Sequence, residues 1–259
     1  MKKLFLLSFV AITMVSCAEL LSIVNTVSTT ATTTTQGVTQ AENAAGLKSA
    51  LNVGIESAVK KLGVTDGFYN DALLKILLPS EAQTIVKNIK LIPGGTELVN
   101  KAVLSMNRAA EDAVVEAAPI FKNAILSMSF SDVMGVLFGG ENAATDYLKK
   151  TTYTQLQNAF APKIKASLDK PLVFNTSTSK TWNSLTSSYN SVAATPVGTI
   201  AGLKSVNVDL EQYVTQKALD ALFVKVAEQE KAIRVNPAER VTSLLQKVFG
   251  QLDNKATSK

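Results

Sequence analysis

The chain of 259 residues has no histidine and a single cysteine, and these two shortages remove more chemistry than any motif supplies. Histidine is the commonest general base and metal ligand near neutral pH. Without it, and with one thiol, Ser/His and Cys/His nucleophile systems and zinc sites are excluded. Cys17 has no partner for an intramolecular disulfide. Glycine-rich phosphate loops are also missing, because Gly94-Gly95 and Gly139-Gly140 are isolated pairs. No segment alternates acidic ligands ahead of a glycine and a distal glutamate, as an EF-hand calcium loop requires. No basic run is interleaved with stacking aromatics, so a nucleic-acid partner is rejected. No cofactor or metal is implied, and the chain is expected not to be an enzyme. The remaining route to catalysis is carboxylates gathered from distant segments. Adjacent Glu111 and Asp112 form no dyad alone, since neighbours diverge by about 100° around a helix.

What is present at the N-terminus is an address. Lys2 and Lys3 precede an apolar stretch over residues 4–15, and Ser16 stands directly before Cys17. This is the layout of a secretory signal. About a dozen apolar residues are too few for a spanning helix, which needs roughly 20. Met14-Val15-Ser16-Cys17 resembles the lipobox of bacterial lipoproteins, with Met14 where leucine is usual. The resemblance implies diacylglyceryl transfer to the Cys17 thiol, cleavage after Ser16 and acylation of the new amine. The expected partner of the N-terminus is therefore a membrane, since several acyl chains make a stable anchor. Ala18, where a retained enteric lipoprotein carries aspartate, implies the outer membrane, with the domain in the periplasm. Removing residues 1–16 takes two of the 26 Lys plus Arg, leaving 24 against 21 Asp plus Glu, a net +3.

Residues 17–45 then form the lipidated N-terminus and a Thr-rich tether, with Ser28-Thr29-Thr30-Ala31-Thr32-Thr33-Thr34-Thr35 at its centre. A short helix over residues 20–27 is an equal alternative for that piece. From 46 to 250 the pattern is almost entirely helical. Leu47, Leu51, Ile55, Ala58, Val59 and Leu62 recur at helical spacing, and Gly63 supplies a stop. Residues 73–79 make an apolar run ended by proline and read as extended; residues 81–91 return to helix, and Pro93-Gly94-Gly95 breaks it. Ser129 with Asp132, and Asp209 with Gln212, open helices as capping boxes do. Asn236-Pro237-Ala238-Glu239 opens a last helix ended by Gly250. The region 170–208 is polar, but Trp182, Leu185, Tyr189 and Val192 give it one amphipathic helix. The expected fold is all-α: a single multi-helix, bundle-like domain over 46–250, after a signal peptide (1–16) and flexible tether, and before a polar tail (251–259).

Two helices hold polar residues among apolar ones. Over 96–118, Val99, Val103, Met106, Ala110, Ala113 and Ala117 form one stripe, while Leu104 and Val115 lie opposite. Apolar residues on both sides predict a central helix, on which Asn107, Arg108 and Glu111 form a packing pair or recognise a ligand. Over 210–234, Leu219, Leu222, Phe223, Val226 and Ile233 mark a buried stripe with Gln216 and Glu230 near its centre, for which Arg234 or Arg240 supply partners.

Several of these segments together resemble the bacterial domain-of-unknown-function family 4197. They are Gly46-Leu47-Lys48-Ser49-Ala50-Leu51, Asp66-Gly67-Phe68, Leu104-Ser105-Met106-Asn107-Arg108-Ala109-Ala110-Glu111, Tyr213-Val214-Thr215-Gln216-Lys217-Ala218-Leu219-Asp220, Asn236-Pro237-Ala238 and Val248-Phe249-Gly250. Members are mostly exported or lipidated proteins, and the family brings no activity or catalytic residue with it. Two functions are compatible with the residues. One is a non-enzymatic envelope module that binds a protein partner or organises the envelope. The other is a carrier or sensor of an apolar or anionic small molecule held between helices near Arg108 or Arg234.

Overall fold

A computed structural model of the chain describes residues 37–88, 94–171 and 175–256. The expected signal peptide, Cys17 and residues 18–36 of the expected tether lie outside the described residues. Val38 begins the compact unit, in which ten α-helices occur among the described residues and no strand does.

The first helix, α1 (Gln40–Leu62), starts six residues ahead of the expected boundary at 46. The reason is local: Thr39 Oγ1 accepts from Glu42 N at 3.2 Å while Glu42 Oε2 accepts from Thr39 N at 2.8 Å, a reciprocal capping box. Gly63 ends α1 as expected. The stretch 64–79 has no regular structure, then a 3-10 turn (Ser80–Ala82) leads into the short α2 (Gln83–Lys87).

The central helix is α3 (Gly95–Val114), followed by α4 (Ala117–Leu126) and α5 (Phe130–Leu137). The helix expected to run unbroken to Ala118 is divided at Val115 and Glu116. Pro119 has no N–H for the Val115 carbonyl and is tolerated only in the first turn of a new helix. The expected Ser129–Asp132 capping box is present at α5. Then come α6 (Ala143–Asp169), the amphipathic α7 (Thr178–Ala193) and the short α8 (Pro196–Ile200). Next is α9 (Leu210–Val235), capped by Asp209, which accepts from Gln212 N at 2.9 Å.

The C-terminus departs from expectation twice. Asn236 and Pro237 open only a 3-10 turn (Pro237–Glu239), and α10 (Ser243–Ala256) begins later, capped by Thr242. Gly250 does not stop it. Gln251 Nε2 donates to Asn43 Oδ1 at 2.7 Å, and Asp253 pairs with Arg240, so most of the expected polar tail is structured helix.

Helix α9 packs most extensively on α6 and α1; α3 packs on α7 and α6; α4 and α5 lie under α1, and α10 covers α1 from the other side. At the junction of α4, α6 and α9, Phe223 meets Phe121 edge-on at 5.5 Å and stacks with Tyr153 at 6.0 Å. Among the described residues no single helix is long and apolar enough to cross a membrane. The most apolar pair, α4 and α5, bends by 107° and turns Phe121, Ile125, Val133 and Leu137 into the core.

Candidate functional site

The polar residues of α3 are consumed by the irregular segment beside it. Asn107 is fully buried; its Oδ1 accepts from Ile76 N at 2.9 Å, and its Nδ2 donates to Ile76 O at 2.8 Å and Val103 O at 2.7 Å. One amide side chain thus supplies what a neighbouring strand would supply to Ile76. Glu111 Oε1 accepts from the N–H groups of Phe68 and Tyr69 at 3.1 and 3.3 Å, and its Oε2 pairs with Arg108 Nη1 at 2.6 Å. Arg108 Nη2 reaches Asp66 at 2.5 Å, and Asp66 holds φ 69°. Burial opposes the Arg108 charge, but the two carboxylates outweigh it and its pKa is raised. The group locks the 66–69 turn onto α3.

The polar residues of α9 have a similar task. Glu230 Oε1 accepts from Ala144 N at 2.9 Å, and Oε2 from Thr145 N and Oγ1, both at 2.8 Å. It therefore caps α6, whose own Asn142 makes no side-chain cap. Arg234 pairs with Glu230 at 2.9 Å and donates to Leu137 O and Val136 O, the last carbonyls of α5. Arg240, only 2% exposed, donates to Ile233 O and Arg234 O at the end of α9 and clasps Asp253 through two bonds of 2.6 and 2.7 Å. The guanidinium beside Asp253 holds that carboxyl below its ordinary range. Lys48 likewise donates to Leu126 O and Met128 O at the end of α4. Anionic groups sit at a helix start and cationic groups at helix ends, the arrangement the helix dipole favours.

Gln216 is the exception, being exposed. On this turn of α9 the buried positions are Val214, Thr215, Ala218 and Leu219, and Gln216 falls just beyond the edge of that stripe, on the outer side of Phe223. The expected cluster is thus three separate clasps with Gln216 outside them. The cavity beside Arg234 has room for about 20 Å³, lined by Leu47, Ala50, Val226, Glu230, Arg234 and Phe249, close to the space of one water. Arg234 is thus paired with only this small space beside it, while an open depression of about 210 Å³ lies beside Arg108, Glu111 and Asp112, walled by Gly63, Val64 and Thr65.

The sizeable concavity lies elsewhere. An open groove of about 430 Å³ runs between residues 73–80 and the N-terminal half of α9, where Tyr213, Lys217, Asp220 and Val224 form its wall. Leu74, Ile76 and Leu78 are buried while Leu73 and Leu77 are 87% and 56% exposed, an alternation that marks extended chain with one face in the core. Tyr213 Oη donates to Leu77 O at 2.9 Å. Lys75 lies 3.6 Å from the centre of the Tyr69 ring. Burial, then the charge of Glu81, raises the Tyr213 pKa. Lys225, just below, holds Asp71 below the usual carboxylate range through a bond of 2.9 Å. The sequence gives one signal for this site, an apolar run ended by Pro79; residues 72–74 form a turn, closed by Lys75 N donating to Asp71 O at 2.8 Å, and only 75–79 run on without regular structure.

Residues 37–250 match the model of a family described as "Protein of unknown function (DUF4197)". The chain belongs to that family. The DUF4197 match begins two residues before the Thr39 cap and takes in nearly the whole helical domain, including the groove and every clasp residue except Asp253. Neither a curated protein nor a solved structure matches the chain.

Proposed function

We propose that this DUF4197 protein is a lipid-anchored lipoprotein of the bacterial cell envelope whose helical domain binds a protein partner and catalyses no reaction. The observation that carries the binding half is the groove between residues 73–80 and α9, where Leu73, Leu77 and Val224 are exposed beside Lys75 and Lys217. Rigid walls, an apolar lining and a few charges suit a segment of another protein. The buried charged side chains offer no competing site, because each is spent on a helix end or a turn. The anchoring half rests on Met14-Val15-Ser16-Cys17, and Ala18 favours the outer membrane with the domain in the periplasm.

Photoreactive phenylalanine analogues placed at Leu77 or Val224 in intact cells, followed by mass spectrometry, test the binding half. A reproducible envelope protein captured from the groove but not from Lys122, exposed on α4, is the expected result. Identical adducts from both places overturn it. For the anchor, the intact mass of the mature N-terminus is compared with that of Cys17→Ser. A native N-terminus without acyl mass overturns that half alone.

A further inference from the structure

The polar region after α6 contains no aspartate or glutamate between Asp169 and Asp209, while it carries Lys170, Lys180 and Lys204. At its far end α8 holds two aliphatic side chains in solvent, Val197 at 73% and Ile200 at 88% exposure. Their support is stiff. Thr195 Oγ1 caps α8 by accepting from Gly198 N at 3.0 Å. Gly198 lies so close to the Val192 and Ala193 backbone that a Cβ would collide with it, so α8 is seated on the end of α7. Gly202, at φ 70°, turns the chain back. The Asn190 side chain then holds both backbone groups of Val206, accepting from its N–H at 2.8 Å and donating to its carbonyl at 3.1 Å.

Much of the hydrogen bonding of this tip is internal. Thr199, Ala201, Gly202 and Leu203 donate their N–H groups to Thr195, Val197, Thr199 and Gly198 carbonyls at 2.9 to 3.1 Å. Pro196 has no N–H. The Thr195 and Thr199 hydroxyls donate to Val192 O and Thr195 O at 2.7 and 3.0 Å. A tip whose N–H groups are largely bonded within it loses little on leaving water, whereas an extended peptide partner would need free backbone edges. Lys170 is spent on Asp112 and Lys180 lies at the far end of α7, so the tip's own charge is the exposed Lys204, which with the protruding aliphatics and no carboxylate between Asp169 and Asp209 complements an anionic lipid surface.

We infer that the α8 tip is a second membrane contact, in which Val197 and Ile200 enter the interface of a bilayer containing anionic phospholipid and Lys204 meets its headgroups. This contact is separate from any lipid on Cys17, so it is tested on the mature chain carrying Cys17→Ser, which has no anchor. Sedimentation with vesicles of phosphatidylcholine and phosphatidylglycerol should capture this chain, and phosphatidylcholine alone should capture less. Val197→Asp with Ile200→Asp should weaken capture about tenfold or more, with thermal melting unchanged. Lys204→Glu should weaken it about fivefold, and only on the anionic vesicles. A second readout places a polarity-sensitive fluorophore on Ile200→Cys in the same chain, where vesicles should shift emission to the blue. Equal capture of the double-aspartate chain, or no shift at position 200, overturns the inference. So does self-association through the tip that the double substitution abolishes without vesicle binding, since that assigns the patch to a second copy of this chain. Loss of acyl mass at Cys17 in cells would leave these measurements standing.

Discussion

The two halves of α9 put the same helix to opposite uses. Its C-terminal half carries Glu230 and Arg234, whose polar atoms cap α6 and close α5, and it is itself closed by Arg240. Its N-terminal half offers Lys217, Asp220 and Val224 to an open groove. The closed half holds the charges that sequence reasoning singles out, and those charges work on helix ends. The open half holds residues that look ordinary in sequence, and it lines the groove proposed to take a partner. In this domain a buried charge marks a joint, and exposed apolar chain marks the proposed binding surface.

The strongest challenge to that contrast is Glu230→Ala. It leaves Arg234 buried without its carboxylate and uncaps Ala144 and Thr145, so urea denaturation should show a loss of about 3–5 kcal/mol. Glu230→Leu combined with Arg234→Met should recover only the part due to the uncompensated Arg234 charge, because the Ala144 and Thr145 N–H groups and the Leu137 and Val136 carbonyls stay without these partners. A loss under about 1 kcal/mol for Glu230→Ala would mean the joint carries no weight. Asn107→Ala should cost about 1–3 kcal/mol, since both backbone groups of Ile76 lose their partner. Hydrogen exchange at the Ile76 amide should rise with it and loosen the groove wall. Leu77→Asp belongs to the open half and should change stability by no more than about 0.5 kcal/mol while abolishing crosslinked adducts. A large stability loss there would turn the groove back into core.

The smallest expected effect concerns pH. The Lys247 ammonium, with the Thr39 backbone and hydroxyl, lowers the Glu42 pKa from 4.5 to about 2. A carboxyl whose folded pKa is depressed contributes stability above its unfolded pKa and loses it as pH falls through the folded one. Stability should therefore decline between pH 4.5 and about 2, and Glu42→Gln should flatten part of that decline in thermal melts at low salt.

Local signals were legible wherever residues three or four apart decide the structure. Ser129 with Asp132 and Asp209 with Gln212 cap the helices they introduce. Thr39 with Glu42 carries the same pattern and would have placed the start of α1. The misplacements come from partners distant in sequence or from geometry that drifts. Asn236 does cap, but Arg240 folds back on the end of α9 and postpones the last helix to Ser243. Gln216 sits at the margin of the buried stripe, beyond Phe223, and turns to solvent. Of the groove, the non-helical wall was legible from an apolar run ended by Pro79, but which of its residues face out was not. Its dependence on Asn107, which lies on α3, was not, because nothing near residue 76 announces it.

The seam between the first and last helices has a consequence in time. Gly46 on α1 lies so close to Val248 on α10 that a Cβ there would meet the valine side chain at 2.6 Å, and Lys247 reaches Glu42 at 2.5 Å. A chain made from its N-terminus exposes α1 well before α10, so α1 waits, part covered, until α10 arrives. Completion of the domain therefore depends on its most distant pair of helices, and a chain truncated before Ser243 would carry an open face along α1.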